Sequence, residues 1–288
     1  MGTVVTVMNM KGGVGKTTVA MHLGGMISRY KFLDKRRKVL LVDYDPQFNL
    51  SQAFIPPIKY FSLEKKRKTT LSILQDDEAD LDPYQIQLPG NEVPPKAADL
   101  IYQVYKFVDG TKLDIIPSTL DLMYIALGQS SQRTNPIERR FDKFMAECRK
   151  KYDLVVIDCH PAGSLFTKTS LRNSDHVIIP VVPQRYAVRG IGLMLKFIDS
   201  KWLGTNAPIP HILFNLTNRA AISKEEIAIR SNREFSKLCM MSTLKRFTAF
   251  SEPLDGKGFV WHSRKPWSTL AFLNLRDVAV EFINRIGI

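Results

Sequence analysis

Cysteine is scarce in this chain. Cys148, Cys159 and Cys239 are the three among 288 residues, and none belongs to a C-x-x-C pair. That spacing argues against a disulfide framework and against a cysteine-built zinc or iron–sulfur site. Long apolar runs are missing too: none approaches the roughly 18 residues that crossing a membrane requires. No charged start leads into an apolar signal core, since the first apolar stretch runs directly into glycines. The expected compartment is therefore the cytoplasm. Acidic residues are outnumbered, with 28 Asp plus Glu against 41 Lys plus Arg and a net charge of +13. Such a surplus points to a polyanionic partner, either nucleic acid or an anionic membrane surface. No internal repeat is visible.

The most telling residues lie near the start. Met8-Asn9-Met10-Lys11-Gly12-Gly13-Val14-Gly15-Lys16-Thr17-Thr18 follows the short strand Val4–Met8. It enters a helix with Val19, Leu23, Met26 and Ile27 on one face. Strand, glycine-rich loop and Gly-Lys-Thr at a helix start form the setting of a phosphate-binding P-loop. Glycines let backbone N–H groups curl around phosphate oxygens, and the helix N-terminus adds positive potential. Gly12, Gly13, Val14, Gly15, Lys16, Thr17 and Thr18 form the expected cradle for ATP. Lys16 would reach the β- and γ-phosphates, and the Thr17 hydroxyl would ligate Mg²⁺. The bland alternative, a glycine turn without a ligand, requires two lysines, three glycines and the flanking elements to coincide by chance.

The pattern G-x-x-x-x-G-K-[ST] has glycine where this chain has Met10, and Lys11 follows. Lys-Gly-Gly-Val-Gly-Lys-Thr-Thr resembles the deviant P-loop of the ParA/MinD ATPases, a family that includes nitrogenase iron protein and Mrp-type cluster carriers. The resemblance implies that Lys11 reaches across a dimer interface to the partner's nucleotide. Lys38–Ser51, an apolar strand followed by Asp43-Tyr44-Asp45-Pro46-Gln47-Phe48-Asn49, resembles the family's D-x-D-P-Q-x-N segment. By that resemblance Asp45 orients the attacking water and Asp43 sits near the Mg²⁺ shell. Phosphoryl transfer is mostly positioning and charge stabilisation, so a carboxylate aimed at the water suffices. A polar strand-to-loop turn is the bland alternative.

Tyr152–Pro161 resembles a Walker B strand, with Asp158 holding Mg²⁺ through water. His160 replaces a residue that is usually proline or threonine there. It is read as a neutral packing substitute, with a proton-linked switch as the alternative. Cys159 is read as a small buried residue. His176–Pro183 and Tyr186–Gly190 resemble the strand and helix that approach the dimer interface. Strand His211–Asn215 resembles the one that meets adenine, making Asn215 a candidate base contact. Leu244-Lys245-Arg246-Phe247 with Ser251-Glu252-Pro253 resembles the family's I-P-R…S-E-P segment, and Arg246 is the second candidate there. Lys245 stands where the family has proline.

Strand signals alternate with helical ones, which predicts an α/β, doubly wound, mostly parallel sheet with helices on both faces. Expected strands are Thr3–Met8, Lys38–Asp43, Lys112–Pro117, Leu154–Asp158, His176–Val181 and His211–Asn215. Expected helices are Lys16–Arg29, Ile137–Lys151, Arg189–Lys201, Lys224–Lys237 and Thr269–Ile286. Residues 1–288 read as one P-loop domain. A proline-rich, charged excursion interrupts it at about 55–110, with the basic run Lys65-Lys66-Arg67-Lys68 and an acidic run from Asp76 to Asp82. The basic run is read as a solvated face, with DNA contact as the alternative.

Several functions fit the family. A ParA-type partition or positioning ATPase would form an ATP-dependent homodimer and bind nonspecific DNA. A ParB-like or other cargo adaptor would stimulate its hydrolysis, and it would be nucleoid-associated. The candidate DNA contacts are Arg219, Lys224, Arg230, Arg233, Lys245, Arg246, Lys257, Arg264 and Lys265, with a merely solubilising surface as the alternative. A MinD-like membrane-cycling ATPase needs a basic amphipathic anchor. Leu275–Ile288 reads instead as a core helix, so no membrane partner is expected. A cluster carrier lacks the paired cysteines. A non-catalytic scaffold sits poorly with intact Lys16, Asp45 and Asp158. No DNA-reading helix-turn-helix is expected ahead of the P-loop.

Overall fold

The computed structural model describes residues 1–76, 88–127, 134–160, 165–200, 207–251 and 258–288. The first half runs β1 (Thr3–Val7), α1 (Lys16–Arg29), β2 (Val39–Tyr44), α2 (Asn49–Phe54), α3 (Pro57–Lys65), α4 (Leu71–Leu74), α5 (Ala97–Leu100), β3 (Tyr102–Lys106) and β4 (Lys112–Ile116). The second runs α6 (Leu122–Leu127), α7 (Asn135–Lys151), β5 (Leu154–Cys159), α8 (Leu165–Arg172), β6 (His176–Val181), α9 (Ala187–Ile198), β7 (Ile209–Thr217), α10 (Lys224–Arg230), β8 (Leu244–Lys245) and α11 (Ser268–Ile286). One sheet orders the strands β3-β4-β2-β5-β1-β6-β7-β8. All pairings are parallel except β3 with β4.

β-Branched and apolar runs such as VLLVDY, LVVIDC and HVIIPV have no polar face to give to water, so both faces must be covered. Alternation along each strand divides the core in two. Val4, Leu40, Val42, Val155 and Ile157 face one side, with Phe141, Phe144 and Met145 of α7. Val5, Val7, Val39, Leu41 and Val156 face the other, with Leu23 and Met26 of α1. Leu275, Val278, Phe282 and Ile283 of α11 join that second layer, so this helix spends its apolar face on the core as expected. Among the described residues no helix is long and apolar enough to cross a membrane.

The parallel register sets β1, β2 and β5 side by side, with Val7 opposite Asp158 and Asp43 opposite Asp158. The carboxyl ends of these strands, where ligands gather in open α/β sheets, thus meet at one place.

All six expected strands form. Two further strands, β3 and β8, were not expected from the sequence pattern. β3 is an antiparallel edge closed by an Asp109-Gly110 turn, with Gly110 at φ +80° and Phe107 N donating to Thr111 O at 2.8 Å. The expected helix Lys224–Lys237 stops at Arg230. Ser223 caps its start by accepting from Glu226 N. Past the end, Asn232 Oδ1 accepts from Glu234 N, a local bond that competes with helical pairing. Ser236–Leu238 is a separate 3₁₀ turn.

The described part of the excursion contains α3, α4, α5 and β3. Arg140 of α7 fastens it by donating to the carbonyl oxygens of Ile73 (3.0 Å), Ser72 and Val93 (both 2.9 Å). Lys65, Lys66 and Arg67 are exposed. Asp77, Glu78, Asp80 and Asp82 of the acidic run lie outside the described residues.

Candidate active site

The loop between β1 and α1 is held at three points. Asn9 Nδ2 donates to Pro180 O at the end of β6 (2.7 Å), and Asn9 Oδ1 accepts from Lys11 N (3.0 Å). Asn215 Nδ2 of β7 donates to Val14 O (2.8 Å). Gly13 and Gly15 adopt positive φ (+72° and +81°), which any larger residue would occupy only with strain. A Cβ on Gly15 would lie 2.4 Å from Asn215 Nδ2, so the third glycine is also required by contact. Lys16 opens α1 and is 9% exposed, whereas Gly12 and Gly13 face solvent. Lys11 is exposed, and its Nζ donates to Gln184 Oε1 at 2.5 Å. Gln184, four residues past Pro180, carried no signal in the sequence.

The three carboxylates divide the work. Asp43 is fully buried, and its Oδ2 accepts from Ser51 N (2.8 Å) and Ser51 Oγ (2.6 Å). Ser51 Oγ in turn accepts from Ser118 N (2.9 Å). Asp43 Oδ1 faces Asp45 N at 3.4 Å. Burial first, then the charge of Asp158, pushes its carboxyl well above the ordinary range, against the Ser51 bonds. With Oδ2 held by Ser51, Asp43 braces the start of α2 while lying opposite Asp158 in the strand register, beside the place expected for Mg²⁺.

Asp158, the penultimate residue of the Walker-B-like strand, is 1% exposed, and its Oδ2 has no hydrogen-bond partner among the described residues. Burial raises its carboxyl to about 7; the Thr17 hydroxyl and Lys16 pull it down, and the charge of Asp45 pushes it up. An unpaired buried oxygen beside a threonine hydroxyl is a donor set suited to Mg²⁺, which takes few protein ligands and keeps several waters. No group of three or more His, Cys, Asp or Glu side chains is placed to hold a metal ion by itself among the described residues.

Asp45 accepts at Oδ1 from Gln47 N (3.0 Å), and His160 Nδ1 lies at 3.0 Å from the same oxygen. Burial works against its ionisation. The His160 and Gln47 bonds and the charge of Lys16 outweigh it and hold the carboxyl below the ordinary value. His160 is therefore no packing substitute: its ring is a polar partner of Asp45. Cys159 is buried as expected.

Asn215, expected at the base, is 1% exposed and spends its amide on Val14 O while its Oδ1 accepts from Leu216 N (2.8 Å). Within the chain it braces the P-loop. Arg246 is exposed just past β8. Of the basic residues read as a DNA surface, Arg219, Lys224, Arg233, Arg264 and Lys265 are also exposed, and Lys245 is partly covered. Arg219 lies over the rings of Phe247 (5.5 Å) and Trp267 (5.4 Å), which brings the loops after β7, after β8 and before α11 together. Arg230 departs from the expectation. Its guanidinium binds Glu226 Oε1 (2.9 Å) and Met240 O (2.7 Å) and covers the Phe214 ring, so it is part of the packing. Lys257 lies outside the described residues.

A family described as an AAA domain matches residues 2–208. The sporulation initiation inhibitor protein Soj of Bacillus subtilis is 27% identical over 289 residues, covering 98% of this chain and 100% of Soj. The chromosome partitioning protein ParA of Caulobacter vibrioides is 26% identical over 288 residues, covering 98% of this chain and 94% of that protein. A crystal structure of a plasmid partition protein from Borrelia burgdorferi bound to AMPPNP superposes with a TM-score of 0.70 at 21% identity, covering 99% of this chain and 100% of that one.

Proposed function

Since the chain belongs to the ParA/MinD family of P-loop ATPases, we propose that it hydrolyses ATP in a cycle that partitions or positions a cargo. In this reading the ATP-bound chains form a homodimer that holds nonspecific DNA, and a ParB-like or other adaptor stimulates hydrolysis. Residues 1–288 act as one P-loop domain in the cytoplasm, on the nucleoid. The observation that carries the reading is the P-loop itself: Lys16 at the first turn of α1, with Thr17 beside the unpaired oxygen of Asp158.

In the working site, Gly12–Thr18 turn their N–H groups to the phosphates, and Lys16 binds the β- and γ-phosphate oxygens. The Thr17 hydroxyl and Asp158 would hold Mg²⁺, which supplies charge neutralisation at those oxygens. Asp45, kept ionised, orients the attacking water by accepting its proton in a hydrogen bond. The segment Met8–Thr18 contains no arginine to serve as a finger, and in this reading hydrolysis is slow without a partner. Among the described residues Lys11 holds a neutral amide, that of Gln184, and exchanges it for the partner's phosphate on dimerisation. Dimerisation also doubles the cations presented by the Arg219–Lys265 surface, so the nucleotide gates a weak monomer patch.

The test is duplex-DNA binding with ATP and with ADP, over a range of salt. Binding should need ATP, ignore sequence and weaken steeply with salt. Light scattering should find a wild-type dimer with a slowly hydrolysed ATP analogue and none for Lys11→Ala. Binding to anionic vesicles and not to DNA would transfer the reading to a MinD-like membrane-cycling ATPase.

A further inference from the structure

His160 directly follows β5, and its backbone N donates to Tyr44 O at the end of β2 (3.3 Å). The imidazole is thereby delivered to the D-x-D segment. Its Nδ1 stands 3.0 Å from Asp45 Oδ1, the same oxygen that accepts from Gln47 N at 3.0 Å. The backbone oxygen of Asp45 is held as well, by Ser118 Oγ at 2.7 Å. Asp45 Oδ2 has no donor among the described residues. The side chains are 28% exposed for His160 and 14% for Asp45, so the pair sits at the mouth of the site and not in the core.

We propose that His160 is a positioning residue for hydrolysis: its Nδ1–H and the Gln47 N–H clamp Oδ1 of Asp45 and leave Oδ2 alone to face the attacking water. The inference rests on the reading of Asp45 as the water-orienting carboxylate. An ionised carboxylate only accepts, so the imidazole proton sits on Nδ1. The terminal torsion of aspartate is broad, and a carboxylate with one donor swings. Two donors on one oxygen fix it, and orientation is the larger part of what this chemistry needs. A residue that served packing alone would turn its ring to apolar neighbours. This ring turns to a carboxylate that Gln47 N also holds, on a residue whose backbone oxygen accepts from Ser118 Oγ.

Steady-state ATP hydrolysis by the full chain with Mg²⁺ tests it, with wild type, His160→Ala, His160→Asn, His160→Gln and Asp45→Ala. His160→Ala should lower kcat about tenfold, the effect of one hydrogen bond to a partly exposed charged group. The KM for ATP should stay within about twofold, as expected for an interaction that acts on the transition state. Asparagine can present an amide N–H where Nδ1 stands and should restore most of kcat. Glutamine keeps the volume but carries its amide further out, and should stay slow. In the Asp45→Ala background, removing His160 should cost nothing more. Wild-type kcat in His160→Ala or His160→Gln, equal loss in His160→Asn and His160→Ala, or an additive double variant overturns the role of His160. If wild-type hydrolysis survives Asp45→Ala undiminished, the fault lies with the reading of Asp45 itself. Thermal melting of each variant separates a folding defect from a kinetic one.

Discussion

Charge is handled in two ways along the carboxyl edge of the sheet. Where β1, β2 and β5 end, the charged groups are few, covered and mutually dependent: Lys16, Asp43, Asp45 and Asp158 lie within one another's fields. Where β7 and β8 end, they are many and mostly open to solvent, and Arg230 is the exception. Removing a group from the first region leaves a neighbour unpaired in a poorly solvated place, which costs the full desolvation of that neighbour. Removing one from the second leaves a gap that water fills.

That contrast orders the expected effects. Lys16→Ala should be the most severe, lowering ATP affinity on the order of a hundredfold, as for a buried cation removed from two phosphate groups. An equilibrium binding assay with Mg²⁺ checks it, and unchanged affinity would end the P-loop assignment.

Asp158 gives a pH signature. Its folded-state value of about 7 lies above the ordinary 3.8, so the folded chain holds a proton that the unfolded chain has released between those two values. Stability of the ligand-free chain therefore falls as pH rises through that window, by up to roughly 1.4 kcal/mol per pH unit. Urea midpoints from pH 4 to 8 should show the slope in wild type and a flatter curve in Asp158→Asn. A slope unchanged by Asp158→Asn would place the titrating group elsewhere.

Arg230→Ala tests the exception. It strands Glu226, whose side chain is 2% exposed, and should cost about 3 kcal/mol of stability. Its melting temperature should drop while the ATP-state DNA affinity of the folded fraction holds. The reverse outcome would return Arg230 to the DNA surface.

The smallest effects belong to Arg219→Glu and Arg246→Glu. Each should lower DNA affinity severalfold and reduce the log–log salt slope by about one unit for every phosphate left unneutralised. Arg219→Glu should also cost about 1 kcal/mol of stability through its two ring contacts.

The same contrast governs what could be read from the sequence. The strands and the P-loop were legible because their signals are local: β-branched runs, glycines at fixed offsets, a lysine at a helix start. Asp158 was singled out for the same reason, as a carboxylate closing an apolar run. The bonds that Asn215 and His160 make were not legible, since each runs to a partner remote in the chain. Ser118 reaches Ser51, Asn215 reaches Val14, and His160 reaches Asp45 across 115 positions. The break after Arg230 was misread because Asn232 diverts the backbone with a single side-chain bond. β3 was missed because an edge strand with one exposed face has a weak apolar pattern. Its Asp109-Gly110 turn was the available clue.

Asn215 has a wider meaning than a brace. Its amide grips the P-loop at Val14, its backbone pairs with Leu244 of β8, and four residues further on Arg219 spreads over Phe247 and Trp267. The nucleotide cradle and the basic surface thus hang from the same strand end. Any energy passed along that span runs equally in both directions: whatever factor ATP adds to the grip on a polyanion, the polyanion must return to the grip on ATP. The track would then be an effector of the motor as much as its road.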